Sequence, residues 1–208
     1  RNRGYHGLRF DQPFPRRTIV SPLYIDAEGF EAIPKPGPWR AFFVARDPRD
    51  VVVSWYFSAL RSHPTRSNPS LQRTRERLAA MSAEEGLVFA IRRLSEGGLF
   101  AALRDWWDRR PEGALLVRYE DLIGPEAARA WDRVLDHCDV ALGPGERREL
   151  LERYSFRRLS GRRPGEEDPD SKLRKGVAGD WRNHFTPAVL RAFGETAGDL
   201  AAHLGYAD

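Results

Sequence analysis

Two stretches of this chain combine cations, backbone freedom and a helix start in ways that suit an anion. The first is Arg46-Asp47-Pro48-Arg49-Asp50, set between the apolar run Ala41-Phe42-Phe43-Val44-Ala45 and the run Val51-Val52-Val53-Ser54-Trp55-Tyr56-Phe57. Asp47 is a good N-cap, Pro48 fits the first helical position, and Asp50 stands three residues after the cap. A helix fed directly by a strand offers unpaired N–H groups and a positive dipole end, which suit a phosphate. Arg46 would stand at the mouth as a planar, permanently charged donor. Ser54 falls about two turns in, on the face shared by Asp47 and Asp50. The competing assignment pairs Arg46 with Asp47 or Asp50 and leaves Ser54 as a helix contact. The second stretch is Leu173-Arg174-Lys175-Gly176-Val177-Ala178-Gly179-Asp180-Trp181-Arg182-Asn183. Glycines let a backbone turn its N–H groups onto an anion, and the adjacent Arg174 and Lys175 add charge-assisted hydrogen bonds. Its competing assignment is a surface turn with two solvated cations.

Short strands and long helices must position these residues. The run 41–45 reads as a strand buried on both faces. The run from Val51 to about Leu60 reads as a buried helix, because the cap and the unbroken chain outweigh the strand propensity of three valines. Residues 69–110 read as two or three helical pieces parted at Gly97-Gly98. Residues 114–119 form a second apolar strand ending at Glu120-Asp121. Amphipathic helices follow at 125–138 and 144–154, then a long acidic loop at 160–172. A last helix after Pro187 turns Val189, Leu190, Phe193, Ala197, Leu200, Ala201 and Leu204 inward. Strands alternating with helices imply an α/β layered domain with a mostly parallel sheet, a single domain over residues 1–208.

Composition narrows the function classes. Hydrophobic residues make up 41% of the 208 and charged ones 31%, which is globular and excludes disorder as the whole answer. No run reaches the ~18 apolar residues of a membrane span, so no membrane partner is expected. The single cysteine, Cys138, excludes a disulfide scaffold and a cysteine-rich zinc site, and a reducing, cytoplasmic setting is expected. No spacing for a metal is evident. The net charge of +4 fits an anionic ligand. A nucleic-acid partner is the least favoured form of it, since the arginines are scattered and no groove-reading motif appears.

The segment Phe43-Val44-Ala45-Arg46-Asp47-Pro48-Arg49-Asp50-Val51-Val52-Val53-Ser54-Trp55-Tyr56 resembles the 3′-phosphate-binding segment of sulfotransferases that use 3′-phosphoadenosine 5′-phosphosulfate (PAPS). Residues 174–186, Arg174 to Thr186, are similar to that family's C-terminal glycine-rich signature, with Arg182 where Lys is common. Leu116-Val117-Arg118-Tyr119-Glu120-Asp121-Leu122 is similar to the strand between them. The resemblance implies a three-layer α/β sandwich of the P-loop-NTPase-like sulfotransferase type, and transfer of a sulfuryl group from PAPS to a hydroxyl or amine, releasing 3′,5′-phosphoadenosine (PAP). It implies that Arg46 and Ser54 hold the 3′-phosphate, and that Arg174, Lys175 and the Gly176 backbone close over it. It puts Tyr119 near the adenine, and Phe156 in the place of an adenine-contacting aromatic; a core phenylalanine is the alternative for Phe156.

Two departures accompany the resemblance. The family's first strand leads into a Lys-Ser-Gly-Thr loop that cradles the 5′-phosphosulfate, then a helix, and no such unit occurs here. The only Lys before residue 172 is Lys35, inside a Pro-rich segment. Because the chain starts at Arg1, a preceding segment carrying that loop is expected in the native protein. Many members also keep a catalytic His about two dozen residues before the Arg46 position, where this chain reads Ile19-Val20-Ser21-Pro22-Leu23-Tyr24. No catalytic base is therefore assigned, and His6 is a weak candidate. A non-catalytic PAP-binding module is the alternative function. Pro187 interrupts the place of the family's dimer motif, which leaves a homodimer open.

Overall fold

A computed structural model describes residues 10–66 and 68–206, together with the backbone of residues 2–3. Strands β1 (Asn2–Arg3) and β2 (Ile19–Val20) make a short parallel pair. Helix α1 (Ala27–Ala32) and the Pro-rich connection lead to β3 (Ala41–Ala45), which passes directly into α2 (Pro48–Phe57). A wider helical turn, Ser58–Ser62, separates α2 from α3 (Pro69–Ala79), α4 (Ala83–Glu96) and α5 (Leu99–Arg109). Strand β4 (Ala114–Arg118) then runs parallel to β3, with Ala41 opposite Ala114 and Ala45 opposite Arg118. Helices α6 (Tyr119–Ile123), α7 (Ala127–His137), α8 (Pro144–Arg153) and α9 (Phe156–Ser160) follow. A tight turn, Asp180–Asn183, precedes α10 (Pro187–Ala197) and α11 (Leu200–His203).

Side chains alternate across the β3–β4 pair and sort the layers. Ala41 and Phe43 face the side of α1, α2 and α5, where Phe43 stacks flat on Trp106 with ring centres 4.6 Å apart. Leu115 and Val117 face the other way and pack with Leu122 of α6 and with Ala130 and Val134 of α7. Helices thus lie on both faces of a parallel pair. The reading of β3 as buried on both faces is corrected, since Phe42 is 44% and Val44 38% exposed. Helices α6 and α7 lie over β4 and leave that side of β3 open.

The largest core gathers Val52, Val53 and Tyr56 of α2, Leu87 and Ile91 of α4, Phe100 and Leu103 of α5, and Val189, Phe193, Leu200 and Leu204 of α10 and α11. Each fully buried aliphatic side chain contributes about 1.5–3 kcal/mol. That burial explains why three consecutive valines are helical. Val52 and Val53 are wholly buried, and the Asp47 carboxylate accepts the Arg49 N–H at 2.9 Å, so packing and cap overcome strand propensity. The last helix departs from its expected pattern. It breaks at Gly198, and Leu190 is exposed, so Leu200 and Ala201 belong to a second short helix, with Leu204 as its C-cap. The acidic loop folds back beside residues 173–175: Gly165 donates to the Lys175 carbonyl at 2.8 Å and Asp168 to that of Arg174 at 2.9 Å. Among the described residues no helix is long and apolar enough to cross a membrane.

Candidate functional site

Two parallel strand ends meet at Arg46. This residue follows β3, and its guanidinium lies over the ring of Tyr119, which opens α6 directly after β4, at 4.6 Å from the ring centre. Open parallel sheets present ligands to this end of their strands. Arg46 Nη2 stands 3.9 Å from Asp50 Oδ2, a loose ion pair. Arg46 Nε is buried and has no hydrogen-bond partner among the described residues. Leaving a buried donor unpaired costs about 1–3 kcal/mol, a cost that an anion accepting there would remove.

Asp47 and Asp50, which the sequence places beside Arg46, turn out to organise the corner. Asp47 takes Nε and Nη2 of Arg49 at 3.0 and 2.9 Å, and this pair is almost fully buried. The Arg49 guanidinium covers Trp181 at 3.8 Å. Asp50 accepts the backbone N–H groups of Gly179 at 2.6 Å and Trp181 at 2.9 Å. Both oxygens of one buried carboxylate therefore dock the glycine-rich stretch onto the first turn of α2.

Asp180 is the hub of that stretch. Its carboxylate, 1% exposed, accepts from Lys175 at 2.5 Å, from Asn183 at 2.9 Å and from Arg174, and lies 3.1 Å from His184 Nε2. Burial alone would raise the Asp180 carboxyl, but hydrogen bonds from Lys175, Arg174 and Asn183 and the charge of Arg174 outweigh it. They hold the group well below its ordinary value. Glu167 of the acidic loop bonds Arg174 and lies 3.8 Å from Lys175. The Arg174 guanidinium rests 4.4 Å from the ring of Phe57, the last residue of α2. Gly176 has φ +67°, and a Cβ there would fall 2.3 Å from the Phe156 ring. Phe156 thus packs flush against the turn that follows the two cations.

Six of the seven residues singled out from sequence lie along one chain of contacts, and Ser54 stands outside it. Tyr119 touches Arg46, Arg46 faces Asp50, and Asp50 holds Gly179. Asp180 gathers Arg174 and Lys175, and Gly176 abuts Phe156. Ser54 sits exposed on α2, one turn beyond Asp50 and one turn short of the helix end. Of the histidines, His6 lies outside the described residues, and His63 is exposed. His137 bonds the Ala41 carbonyl at 2.9 Å and His203 bonds Asp108 at 2.6 Å, both away from the cations. Sequence reasoning missed Asp180 and Glu167 as partners of Arg174 and Lys175. Their one signal is carboxylates lying five to eight residues from adjacent cations. It marked Glu120 only as a polar residue at the end of the second strand and missed its bond, in which Glu120 Oε1 accepts the Asp47 N–H at 3.0 Å.

Chemically, three cations (Arg46, Arg174 and Lys175) stand among three carboxylates (Asp50, Asp180 and Glu167). Buried Asp50 and Asp180 fix the geometry, and partly exposed Glu167 covers the cations from outside. Carboxylate partners thus orient these cations, and oriented cations can donate charge-assisted hydrogen bonds to an anion.

Residues 39–205 match the family model described as the sulfotransferase domain. Sulfotransferase 2A6 of Mus musculus is 28% identical over 163 residues, covering 74% of this chain and 53% of that protein. The 3-alpha-hydroxysteroid sulfotransferase of Cavia porcellus is 27% identical over 164 residues, with the same coverage. The chain spans about half the length of the curated relatives it matches. Among solved structures, mouse sulfotransferase SULT7A1 complexed with PAP aligns with a TM-score of 0.63 at 18% identity, covering 92% of this chain and 70% of that one. Retinol dehydratase in complex with androsterone and the inactive cofactor PAP aligns at 0.53 and 20% identity, covering 77% and 47%. These likenesses establish the fold.

Proposed function

Because this chain belongs to the sulfotransferase domain family, we propose that it forms the nucleotide-gripping part of an enzyme that moves a sulfuryl group from PAPS to a hydroxyl or amine acceptor and releases PAP. The observation that carries this reading is the buried, unpartnered Nε of Arg46, whose neighbour Asp50 accepts the Gly179 N–H of the turn that follows Arg174 and Lys175. An orphaned donor among oriented cations is what a ribose 3′-phosphate would complete. In this reading Arg46 and Ser54 hold that phosphate from α2. Arg174, Lys175 and the Gly176 N–H close over it, and Tyr119 and Phe156 border the adenine. Each charge-assisted bond to a phosphate oxygen is worth about 1.5–3 kcal/mol, so several are needed to hold a dianion out of water.

PAPS supplies the sulfuryl group, whose bond to the 5′-phosphate breaks as a bond to the acceptor forms and the acceptor proton leaves. The described residues contribute binding and orientation to that exchange: they fix the far end of the nucleotide so that the reacting end is presented in one place. The acceptor is read as a small molecule or carbohydrate, and the setting as cytoplasmic because Cys138 is the lone thiol.

A second reading is a PAP-binding module without turnover. Calorimetry with PAP tests the shared part of both readings, and micromolar binding is expected. Transfer of labelled sulfuryl from PAPS to phenolic, alcoholic and amine acceptors separates them. Binding without transfer by the whole protein leaves the module, and no PAP binding removes both. Retention on oligonucleotides that weakens steeply with salt and ignores free PAP would mark a nucleic-acid partner instead.

A further inference from the structure

The end of the described chain returns to the phosphate corner. After α11 the backbone turns sharply at Gly205, with φ +76°, and the Tyr206 N–H donates to the Ala201 carbonyl at 2.9 Å. The positive φ favours glycine here, and a Cβ at Gly205 would fall 2.4 Å from the tip of the Arg118 side chain, Nη2. Arg118, the last residue of β4, secures the turn from the other side. Its Nη2 donates to the Leu204 carbonyl at 2.8 Å, and its guanidinium lies 5.3 Å from the Trp107 ring and 5.0 Å from the Tyr206 ring.

This turn aims the Tyr206 hydroxyl at Glu120. The hydroxyl donates to Glu120 Oε2 at 3.0 Å, while Glu120 Oε1 accepts the Asp47 N–H at 3.0 Å. That N–H belongs to the peptide joining Arg46 to Asp47, so the relay ends on the peptide that directly follows the Arg46 Cα. Tyr119, next to Glu120, lies under the same guanidinium. Burial first, then the neighbouring Glu120 charge, raises the Tyr206 phenol above its ordinary value, which keeps it a donor throughout the physiological range.

We propose that Tyr206 is a positioning residue for the Arg46 phosphate site: its hydroxyl holds Glu120, and Glu120 holds the peptide that sets the direction of Arg46. The inference rests on the assignment of Arg46 to the phosphate. It makes the final turn of the fold part of the nucleotide grip, 86 residues from Glu120 in sequence.

Tyr206→Phe keeps the ring over Arg118 and deletes only the hydroxyl. Two readouts are needed, amide exchange of the ligand-free chain by NMR and PAP affinity by calorimetry. The Asp47 amide is expected to exchange roughly tenfold faster, with the amides of Leu87 and Ile91 in α4 unchanged. PAP affinity is expected to fall roughly fivefold, the worth of one ordinary hydrogen bond. In an Arg46→Ala background the same substitution is expected to change PAP affinity less than twofold, which a general loss of stability would not produce. Unchanged PAP affinity in Tyr206→Phe, or an equal loss with and without Arg46, overturns the proposal. Should Tyr206→Phe fold poorly, Glu120→Ala is read by the same criteria. A wild-type chain that binds no PAP would instead remove the phosphate reading, and the relay would then stand or fall on the Asp47 amide alone.

Discussion

Arg46 and Lys175 carry different burdens within one corner, and their substitutions test the site most directly. Arg46→Ala deletes the buried donor that has no partner, and Lys175→Ala deletes a cation held by Asp180. Each is expected to weaken PAP binding at least about tenfold, or ~1.4 kcal/mol, by calorimetry; unchanged affinity in both would remove the site. On the proposed reading Glu167 works in the opposite sense, because it pairs with the Arg174 and Lys175 that would take the phosphate. Glu167→Gln is expected to tighten PAP binding by roughly two- to fivefold, in line with the ~0.2–1 kcal/mol of a partly exposed ion pair. Asp180 is the residue on which the turn depends for stability. Its carboxyl lies below the ordinary value in the folded chain, so its contribution is complete above the unfolded value near 4 and is lost as pH falls toward the lower, folded one. Asp180→Asn leaves the mostly buried Arg174 and Lys175 with only the partly exposed Glu167 as counter-ion and is expected to cost up to about 3–5 kcal/mol at neutral pH. Denaturant titrations should show the gap between wild type and variant closing as pH drops below about 4.

At the scale of elements, the glycine-rich turn and α2 make one unit. Gly176 stands at φ +67° with its missing side chain replaced by the Phe156 ring. Gly176→Ala meets both a left-handed backbone, at about 1–2 kcal/mol, and a ring it would strike. Calorimetry is expected to show PAP affinity lowered more than about tenfold. Gly194 offers the contrast, since it lies mid-helix in α10 with open space where a Cβ would go. Gly194→Ala is expected to stabilise the chain by about 0.5–1 kcal/mol without touching PAP binding, as thermal melts and calorimetry would show. The start of α2 was legible because its signals sit within four residues: Asp47 caps, Pro48 opens, and Asp50 stands three residues after the cap. The break of the last helix at Gly198 was less so, because apolar spacing continues through Leu200, Ala201 and Leu204 as if the helix ran on.

For the whole molecule, a ligand that binds only the folded chain stabilises it by mass action. PAP at about 100 times its dissociation constant should add ~2.7 kcal/mol. That corresponds to a rise of roughly 5–10 °C in Tm for a chain of this size, and the Arg46→Ala variant should lose most of it at the same PAP concentration. Much of the architecture could be read beforehand, because apolar runs at 41–45 and 114–118 and helical spacing between them are local patterns that hydrophobic burial acts on directly. Arg46, Arg174 and Lys175 could be singled out as candidates, since charge type and glycine spacing are properties of the chain itself, and the family resemblance supplied the role proposed for them. What folding alone decided is which carboxylate meets which donor. Asp50 reaches Gly179 across 129 residues, Tyr206 reaches Glu120 across 86, and one side of β3 is left bare although its run is apolar throughout. Hydrogen bonds and ion pairs depend on a few tenths of an ångström between groups that three-dimensional packing brings together, and a one-dimensional pattern carries no record of those distances.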